Sequence, residues 1–587
     1  MPPLTLRPLF VLLDFARSGP HARGLLFRDP IAVLAARQID EVAAVLEGVE
    51  RATAEGHHAV GFVSYDAAPA FDPAFVVRGR TNMPLAWFGI FREPEAAPVL
   101  AGVPDDAPVQ WTFATDEVAH ARAVENIRRA IAGGEVYQVN HTIRLRPDVA
   151  PEPLALYSRM RAAQPSGYCA YFDIGSHCIA SASPELFFHH RSGNRITTQP
   201  MKGTARRGRW RAEDDAAALA LAGSEKERAE NVMIVDLLRN DLGRIARAGT
   251  VHVPKLFEVE RHPTVLQMTS TVEAELDPGV TLGEIFGALF PCGSVTGAPK
   301  IAAVAKIAEL EDSPRGVYCG ALGWIAPRGE AIFNVAIRTA WLDRDTGSME
   351  YGVGGGITWD SVASEEYSEV RAKSALLTST TPRFDLLETM RLEPEGYVRR
   401  ERHVARLLES ARYFGFPVDA ARVEHALEDH ARDAAEFPRR VRLLVSPEGV
   451  PWIEDRALLE HDSSGAPRVM ALASSPVSSA DPFLFHKTTH RAVYDRHRAE
   501  HSQAFDVLLW NERGELTELT IGNVVLRIDG VDWTPPRECG LLAGTYRAEL
   551  LERGEIRERV MRVEDLRRAE GVWLINSLRE RVLMTWH

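Results

Sequence analysis

The sequence predicts an α+β protein of two or more domains, and three observations carry that. Its 587 residues exceed what a single hydrophobic core holds. Short strand-like runs alternate with longer stretches of helical periodicity along the chain. A Ser/Thr/Pro stretch, Thr378-Ser-Thr-Thr-Pro-Arg383, breaks the pattern, and a new strand pattern starts behind it. The expected division is a first domain over 1–378, a linker at 379–383 and a second domain over 384–587. Composition excludes several classes. The apolar share of 45% and charged share of 25% are those of a soluble globular chain. With a net charge of −13 and no basic run, nucleic acid is not an expected partner. No apolar run reaches 18 residues, and Leu4–Leu13 is followed closely by Asp14 and Arg17, so neither a membrane span nor a signal peptide is expected. Five cysteines without CxxC pairing argue against a zinc site or a disulfide framework, and for a reducing, cytoplasmic setting.

Asp29-Pro30 opens a helical pattern through Ile31, Val33 and Leu34 to Ile39, Val42, Val45 and Leu46. Gly61–Asp66 reads as a strand and Glu93–Pro108 as a surface connection. A helix through Val124, Ile127 and Ile131 stops at Gly133-Gly134. Behind it, Glu135–Arg144 alternates as a strand with Gln138 and Asn140 on one face. After the strand Cys178–Ala182 comes Ser183-Pro-Glu-Leu-Phe187. A carboxylate there, between Pro and an apolar run, is expected to be partly desolvated, which suits a general acid; an ordinary turn Glu is the alternative that one residue does not decide. Ser224 caps a helix with Glu227 three positions on, and Glu227 and Glu230 share a face. Phe290–Lys300 is a Gly/Ser/Thr loop, including Thr296 and Gly297, that runs into a helix and suits an anion without the Walker order. Arg338 near a strand end offers a carboxylate fork. Gly354, Gly355 and Gly356 in one strand mean close backbone approach. Glu365, Glu369 and Lys373 follow at helical spacing.

Lysine usage singles out one stretch. The chain has seven Lys against sixty-one Arg. Arg serves wherever a plain positive charge is needed, so a remaining Lys is a candidate for work that needs an amine able to lose its proton. Gln199-Pro-Met-Lys-Gly-Thr204 carries such a Lys after a strand. Lys300, Lys373 and Lys487 also lie in motif-like surroundings.

Taken in order, the blocks SPELF, PMKGT, AENVMIVDLLRND, GSVTGAPK, IRT and GGGITWDSVASEEYSEVRAK resemble those of the chorismate-utilising enzymes. That group holds anthranilate synthase, isochorismate and salicylate synthases, and aminodeoxychorismate synthase component I. The resemblance implies an anthranilate-synthase-like two-sheet α/β sandwich over roughly 25–378, with Mg²⁺ and chorismate in its cleft. It further implies Glu230 and Glu369 as Mg²⁺ ligands, Glu185 as the acid that helps the 4-hydroxyl leave, and Arg338, Lys373 and the Gly354–Gly356 amides as a carboxylate clamp. Thr204, Thr296 and Gly297 would line the substrate. Lys202 matches the Lys of aminodeoxychorismate synthases, which anthranilate synthases replace by Ala. Gln138 falls where the water-adding relatives carry a Lys. One position departs: many relatives have a His where this chain has Gln267.

Past residue 384, His403–Phe414 is an amphipathic helix bearing Arg406, and His486-Lys-Thr-Thr-His-Arg491 holds the last Lys. Thr517–Asn523 and Gly540–Arg547 are loops fit to cradle a phosphate. This half resembles the fold-type IV pyridoxal-phosphate enzymes: 4-amino-4-deoxychorismate lyase and the branched-chain and D-amino-acid aminotransferases. That implies Lys487 as the covalent attachment point of pyridoxal 5'-phosphate and Glu518 at its ring nitrogen. Arg406, Thr520, Ile521, Gly544 and Thr545 would hold the phosphate, Asn576 the substrate, and a homodimer would form through this domain. The two resemblances together imply 4-aminobenzoate synthesis for folate. The ammonia would come from a glutamine amidotransferase subunit or free ammonium, since no glutaminase motif is found in the sequence. Anthranilate synthase fused to an aminotransferase, and a non-catalytic chorismate-binding scaffold, are the rival expectations.

Overall fold

The computed structural model describes residues 9–15, 24–79, 81–98, 109–164, 167–262, 265–378, 382–458 and 467–586. Residues 379–381 of the expected linker, part of Leu4–Leu13 and the end of the Glu93–Pro108 connection lie outside them. Contacts divide the chain into two compact units: Met1–Arg206 with Ala218–Thr381, and Arg207–Ala217 with Pro382–His587. The second unit thus includes a short segment from the middle of the first stretch.

In the first unit, among the described residues, two ten-stranded antiparallel sheets form. One is centred on Gln138–Pro147, Met349–Ile357, Thr339–Asp343 and His177–Ser183 in that spatial order. The other runs through Met201–Arg206, Val265–Glu275, Arg195–Gln199, Leu186–Arg191 and Ala331–Val335. Several central strands are buried along their whole length, Ala331–Val335 and His177–Ser183 among them. Such strands read as continuous apolar or small-residue runs, as strands covered on both faces must. Phe187, Phe188, Phe286, Phe290 and Phe333 knit the second sheet to the helix Leu282–Leu289, with Phe188 and Phe333 centroids 5.1 Å apart.

The helix expected from Asp29-Pro30 starts later. Ala32–Ala36 is an edge strand paired residue for residue with Ala86–Phe91, and its Val33 is exposed. Five apolar residues are too few for periodicity to separate strand from helix, and the sheet edge supplied the partner. The helix itself is Val42–Ala54, entered through a turn in which the Glu41 carboxylate accepts from the Arg37 and Gln38 amides. Its buried face is Val42, Val45, Leu46 and Val49. The helix Glu117–Ala132 stands where its apolar spacing predicts, with Asp116 accepting from the Ala119 amide, and Glu225–Gly243 stands where its Ser224 cap predicts, Ser224 accepting from the Glu227 amide.

The second unit holds, among the described residues, a four-stranded antiparallel sheet around Leu386–Glu393 and Arg439–Val445, and an eight-stranded mixed sheet. The helix Arg400–Phe414 covers the first of these with Val404, Leu407 and Ala411. Residues Arg207–Ala217 complete this unit: Trp210 lies 5.0 Å from Phe485, and Tyr413 donates to Gly208 O at 2.8 Å. No helix among the described residues is long and apolar enough to cross a membrane, and all five cysteines are buried and outside any disulfide.

Candidate functional site

The first unit contains a cleft of about 420 Å³. The strand Met201–Arg206 brings Lys202, the helix Glu225–Gly243 brings Glu227 and Glu230, and the helix Ala363–Ser374 brings Glu366, Glu369 and Lys373. Glu185, Ser294, Arg338 and the backbone of Gly354, Gly355 and Gly356 complete its lining. The three glycines matter for what stands beside them. A Cβ on Gly356 would lie 2.1 Å from Gln138 Nε2 and 2.9 Å from the Lys202 amine; on Gly355 it would lie 3.3 Å from Glu366 Oε2. The Lys373 amine donates to Gly354 O at 2.9 Å and pairs with Glu369 at 2.6 Å. Bare backbone therefore lets two amines reach one strand.

Electrostatics follow from burial and mutual charge. Glu185 is 3% exposed, its Oε1 has no hydrogen-bond partner, and burial pushes its carboxyl up to about 7, against a bond from Ser294 and the Lys202 charge. Burial lowers the Lys202 ammonium; Glu230 opposes that and Lys373 adds to it. Glu227, Glu230 and Glu366 are all raised, by burial first and then by one another's charge. Lys373 holds Glu369 low. A divalent cation would relieve this crowding of carboxylates. Among the described residues no group of three or more His, Cys, Asp or Glu forms a ready cage. The donor set suits Mg²⁺, which takes one or two carboxylates and completes its shell with water and substrate oxygens.

Several expected residues serve otherwise. Thr296 is fully buried and donates its hydroxyl to Cys292 O and Gly293 O, and Gly297 pairs in the sheet with Val139; neither lines the cleft. Short polar side chains in tight turns bond their own backbone first. Thr204 lines the cleft but gives its hydroxyl to Gln267 Oε1. Gln138 is fully buried behind Gly356, both amide atoms without a partner. Arg338 faces the cleft with Nη1 donating to Gln164 Oε1. Lys300 is an ion-pair residue, 2.7 Å from Asp241. On the helix Ala363–Ser374 the expected Glu369 lines the cleft, joined by Glu366, which the sequence did not single out, while Glu365 is exposed. The spacing Glu366, Glu369, Lys373 was the signal for that face.

The second unit has a cavity of about 500 Å³ holding Lys487, Glu518, Arg406, Asn576 and the turn at Gly544-Thr545. Burial, with Arg491 and Arg406 nearby, pushes the Lys487 ammonium down to about 7. Glu518 is raised by burial to about 7, and Tyr494 Oη, Leu542 N and Asn523 Nδ2 donate to its carboxylate at 2.7, 3.2 and 3.3 Å. Gly544 caps the helix Thr545–Glu552, whose first amides lack intrahelical acceptors. Beside it, Arg406 is gripped by Glu388 at 2.7 and 2.9 Å, and His403 bonds the same carboxylate at 2.7 Å. An amine, a carboxyl and a cationic helix start around one cavity fit pyridoxal phosphate. Thr520 and Ile521 do not offer their amides to it: the Thr520 amide donates to Val507 O, that of Ile521 to Asp506, and the Thr520 hydroxyl also goes to Asp506. Asn576 uses its Nδ2 on Ile521 O at 3.1 Å. Glu388, His403 and Tyr494 carried no sequence signal, because their partners are remote in the chain.

Residues 17–379 match the family described as chorismate binding enzyme, and residues 385–582 match amino-transferase class IV. Aminodeoxychorismate synthase component 1 of Bacillus subtilis is 40% identical over 253 residues, 43% of this chain and 53% of that protein. The chain thus spans about half the length of that relative. Anthranilate synthase component 1 of Methanothermobacter thermautotrophicus is 35% identical over 375 residues, 59% of this chain and 77% of that one. The crystal structure of anthranilate synthase component I from Streptococcus pneumoniae superposes with a TM-score of 0.54 at 26% identity, covering 62% of this chain and 94% of that chain. The two-sheet unit and its cleft, matched across most of their length, are those of the chorismate binding enzymes, and the chain belongs to that family, with an amino-transferase class IV domain following.

Proposed function

We propose that the chain makes 4-aminobenzoate in two steps, amination of chorismate in the first unit and elimination of pyruvate in the second. The observation that carries the reading is the Lys202 amine, buried beside Gly356 and the cleft carboxylates, with its ammonium lowered by burial. An unprotonated amine there is a nucleophile. It would form a bond to C2 of chorismate as the ring double bonds shift and the C4–O bond breaks. Glu185 would give its proton to the departing oxygen, so that water leaves. Ammonia would then bond to C4 as the C2–N bond breaks and the amine returns. Arg338 and Lys373 would hold substrate carboxylates, while Glu230 and Glu369 would hold Mg²⁺, which neutralises charge on the bound substrate.

In the second unit Lys487, Glu518 and Arg406 would hold pyridoxal phosphate, which when bound supplies an electron sink. Glu518 would bond the ring nitrogen, and the Lys487 amine, with its ammonium near 7, would carry the proton from the ring carbon of the substrate to the leaving enolpyruvyl group. The sum is aminodeoxychorismate giving 4-aminobenzoate and pyruvate. Ammonia from a glutamine amidotransferase partner is part of the proposal, in keeping with the component 1 name of the Bacillus relative.

A second reading, anthranilate formation, draws support from the Methanothermobacter relative. One assay separates them: the full chain with chorismate, Mg²⁺, ammonium and pyridoxal phosphate. We expect 4-aminobenzoate and pyruvate, no product from Lys202→Ala although it still binds chorismate, and accumulation of the aminated intermediate with Lys487→Ala. Anthranilate as the product, or an undiminished Lys202→Ala, overturns the reading.

A further inference from the structure

The strand that carries Lys202 is irregular. Met201 pairs with Thr269 and Thr204 with Gln267, so Lys202 and Gly203 together oppose the single residue Met268. This is a β-bulge, which interrupts the ladder and redirects a side chain. Gly203 has φ 93°, and a Cβ there would lie 3.0 Å from Glu227 Oε2 and 3.2 Å from Met268 Cβ. Only glycine fits that turn of the backbone.

The carbonyls of both bulge residues are taken by side-chain amides. Gln267 Nε2 donates to Gly203 O at 2.8 Å, and its Oε1 accepts from Thr204 Oγ1 at 3.1 Å. Asn231 Nδ2 donates to Lys202 O at 3.4 Å. Asn231 is itself oriented: its Oδ1 accepts from Ser270 Oγ at 2.5 Å, and Ser270 Oγ accepts from the Phe257 amide at 3.1 Å. Phe257 has φ 61° and sits in a second register shift, between Lys255 and Glu258. Asn231, Gln267 and Ser270 are buried. A fully satisfied buried network of this kind fixes one geometry.

We propose that Gln267 and Asn231 are positioning residues that hold the two carbonyls of the Lys202–Gly203 bulge and so aim the Lys202 amine into the cleft. Gln267 then acts on the strand, its amide oxygen being already committed to the Thr204 hydroxyl and one amide hydrogen to Gly203 O. Asn231 follows Glu230 in the same helix, so that helix both presents a cleft carboxylate and sets the amine. The inference rests on the reading of Lys202 as the nucleophile.

The test uses the full chain with Mg²⁺, chorismate and ammonium. Gln267→Leu and Asn231→Ala should each lower kcat for amination roughly 100-fold, the effect of misplacing a reacting group by about 1 Å. Chorismate affinity should change less than about twofold, with the circular dichroism spectrum unchanged. Gln267→His, whose ring N–H can reach the same carbonyl, should restore most of the rate. In a Lys202→Ala background neither substitution should reduce residual turnover further. Unchanged kcat, or kcat and affinity falling together, overturns the positioning role while an inactive Lys202→Ala leaves the nucleophile reading standing. A fully active Lys202→Ala overturns that reading instead, and the inference with it.

Discussion

Glu185, the proposed general acid, owes its raised carboxyl to where it is buried. With a folded value near 7, above the usual carboxylate range, it is protonated in the acid half of the working range and can donate a proton. The same burial weighs on stability. Its neutral form is present in both states below about 4.5, and the folded state then loses stability as pH rises through about 7, by up to about 3 kcal/mol. Amination should therefore decline above pH 7. Glu185→Gln should lower the rate roughly 100- to 1,000-fold yet gain more in Tm over the parent at pH 8 than at pH 5. Thermal melts and initial rates at both values check this; a variant with normal rates at every pH would remove Glu185 from the chemistry. The sequence showed Glu185 between Pro184 and an apolar run, enough to read desolvation. It did not show Ser294, Met201 or Lys202 beside it, since these come from distant stretches.

The glycines of Met349–Ile357 were legible as sites of close approach, but not what approaches. A Cβ on Gly354 would lie 2.2 Å from His141 O, a backbone atom that cannot yield, whereas on Gly356 it meets a side-chain amide and the Lys202 amine. Gly354→Ala should therefore cost the fold about 2 kcal/mol or more. Gly356→Ala should keep most of its stability and lose amination, because Gln138 and Lys202 must move. Urea unfolding set beside kcat distinguishes the two, and equal effects in both variants would contradict the contrast. Helices with a cap and long periodicity, such as Glu225–Gly243 behind Ser224, were readable. Ala32–Ala36 was not, because a five-residue apolar run takes the form its neighbour offers. Half of the expected capping box is also absent from the bonds at Ser224, for Glu227 turns its carboxylate to Gly203 and the cleft.

The division of the chain is not a single cut. Arg207–Ala217 belongs with Pro382–His587, held by Trp210 on Phe485, by Arg207 to Tyr413 O at 3.0 Å and by Arg209 to Ser479 O at 3.1 Å. A fragment ending at 381 would carry this segment stripped of its cover, exposing the Trp210 ring at a cost of about 2–3 kcal/mol. Such a fragment should be nicked by trypsin at Arg207, Arg209 or Arg211 well before the intact chain is. Equal resistance of fragment and chain would show that the segment needs no partner.

The two-part plan, the order of motifs and the family resemblance were readable in the sequence alone, as were the candidates Glu185, Lys202 and Lys487 for the proposed chemistry, because those rest on local pattern and on chemistry that only certain residues possess. Tertiary structure decided which of them share a cleft. It drew Thr296 into its own turn and Ile521 toward Asp506, added Glu366 to the cleft beside Glu369, and sent residues 207–217 to the other unit. It also decided how Lys202 is aimed. A β-bulge is a register relation between strands some sixty residues apart, and the amides that complete it, Asn231 and Gln267, have meaning only once those strands and the helix Glu225–Gly243 lie side by side.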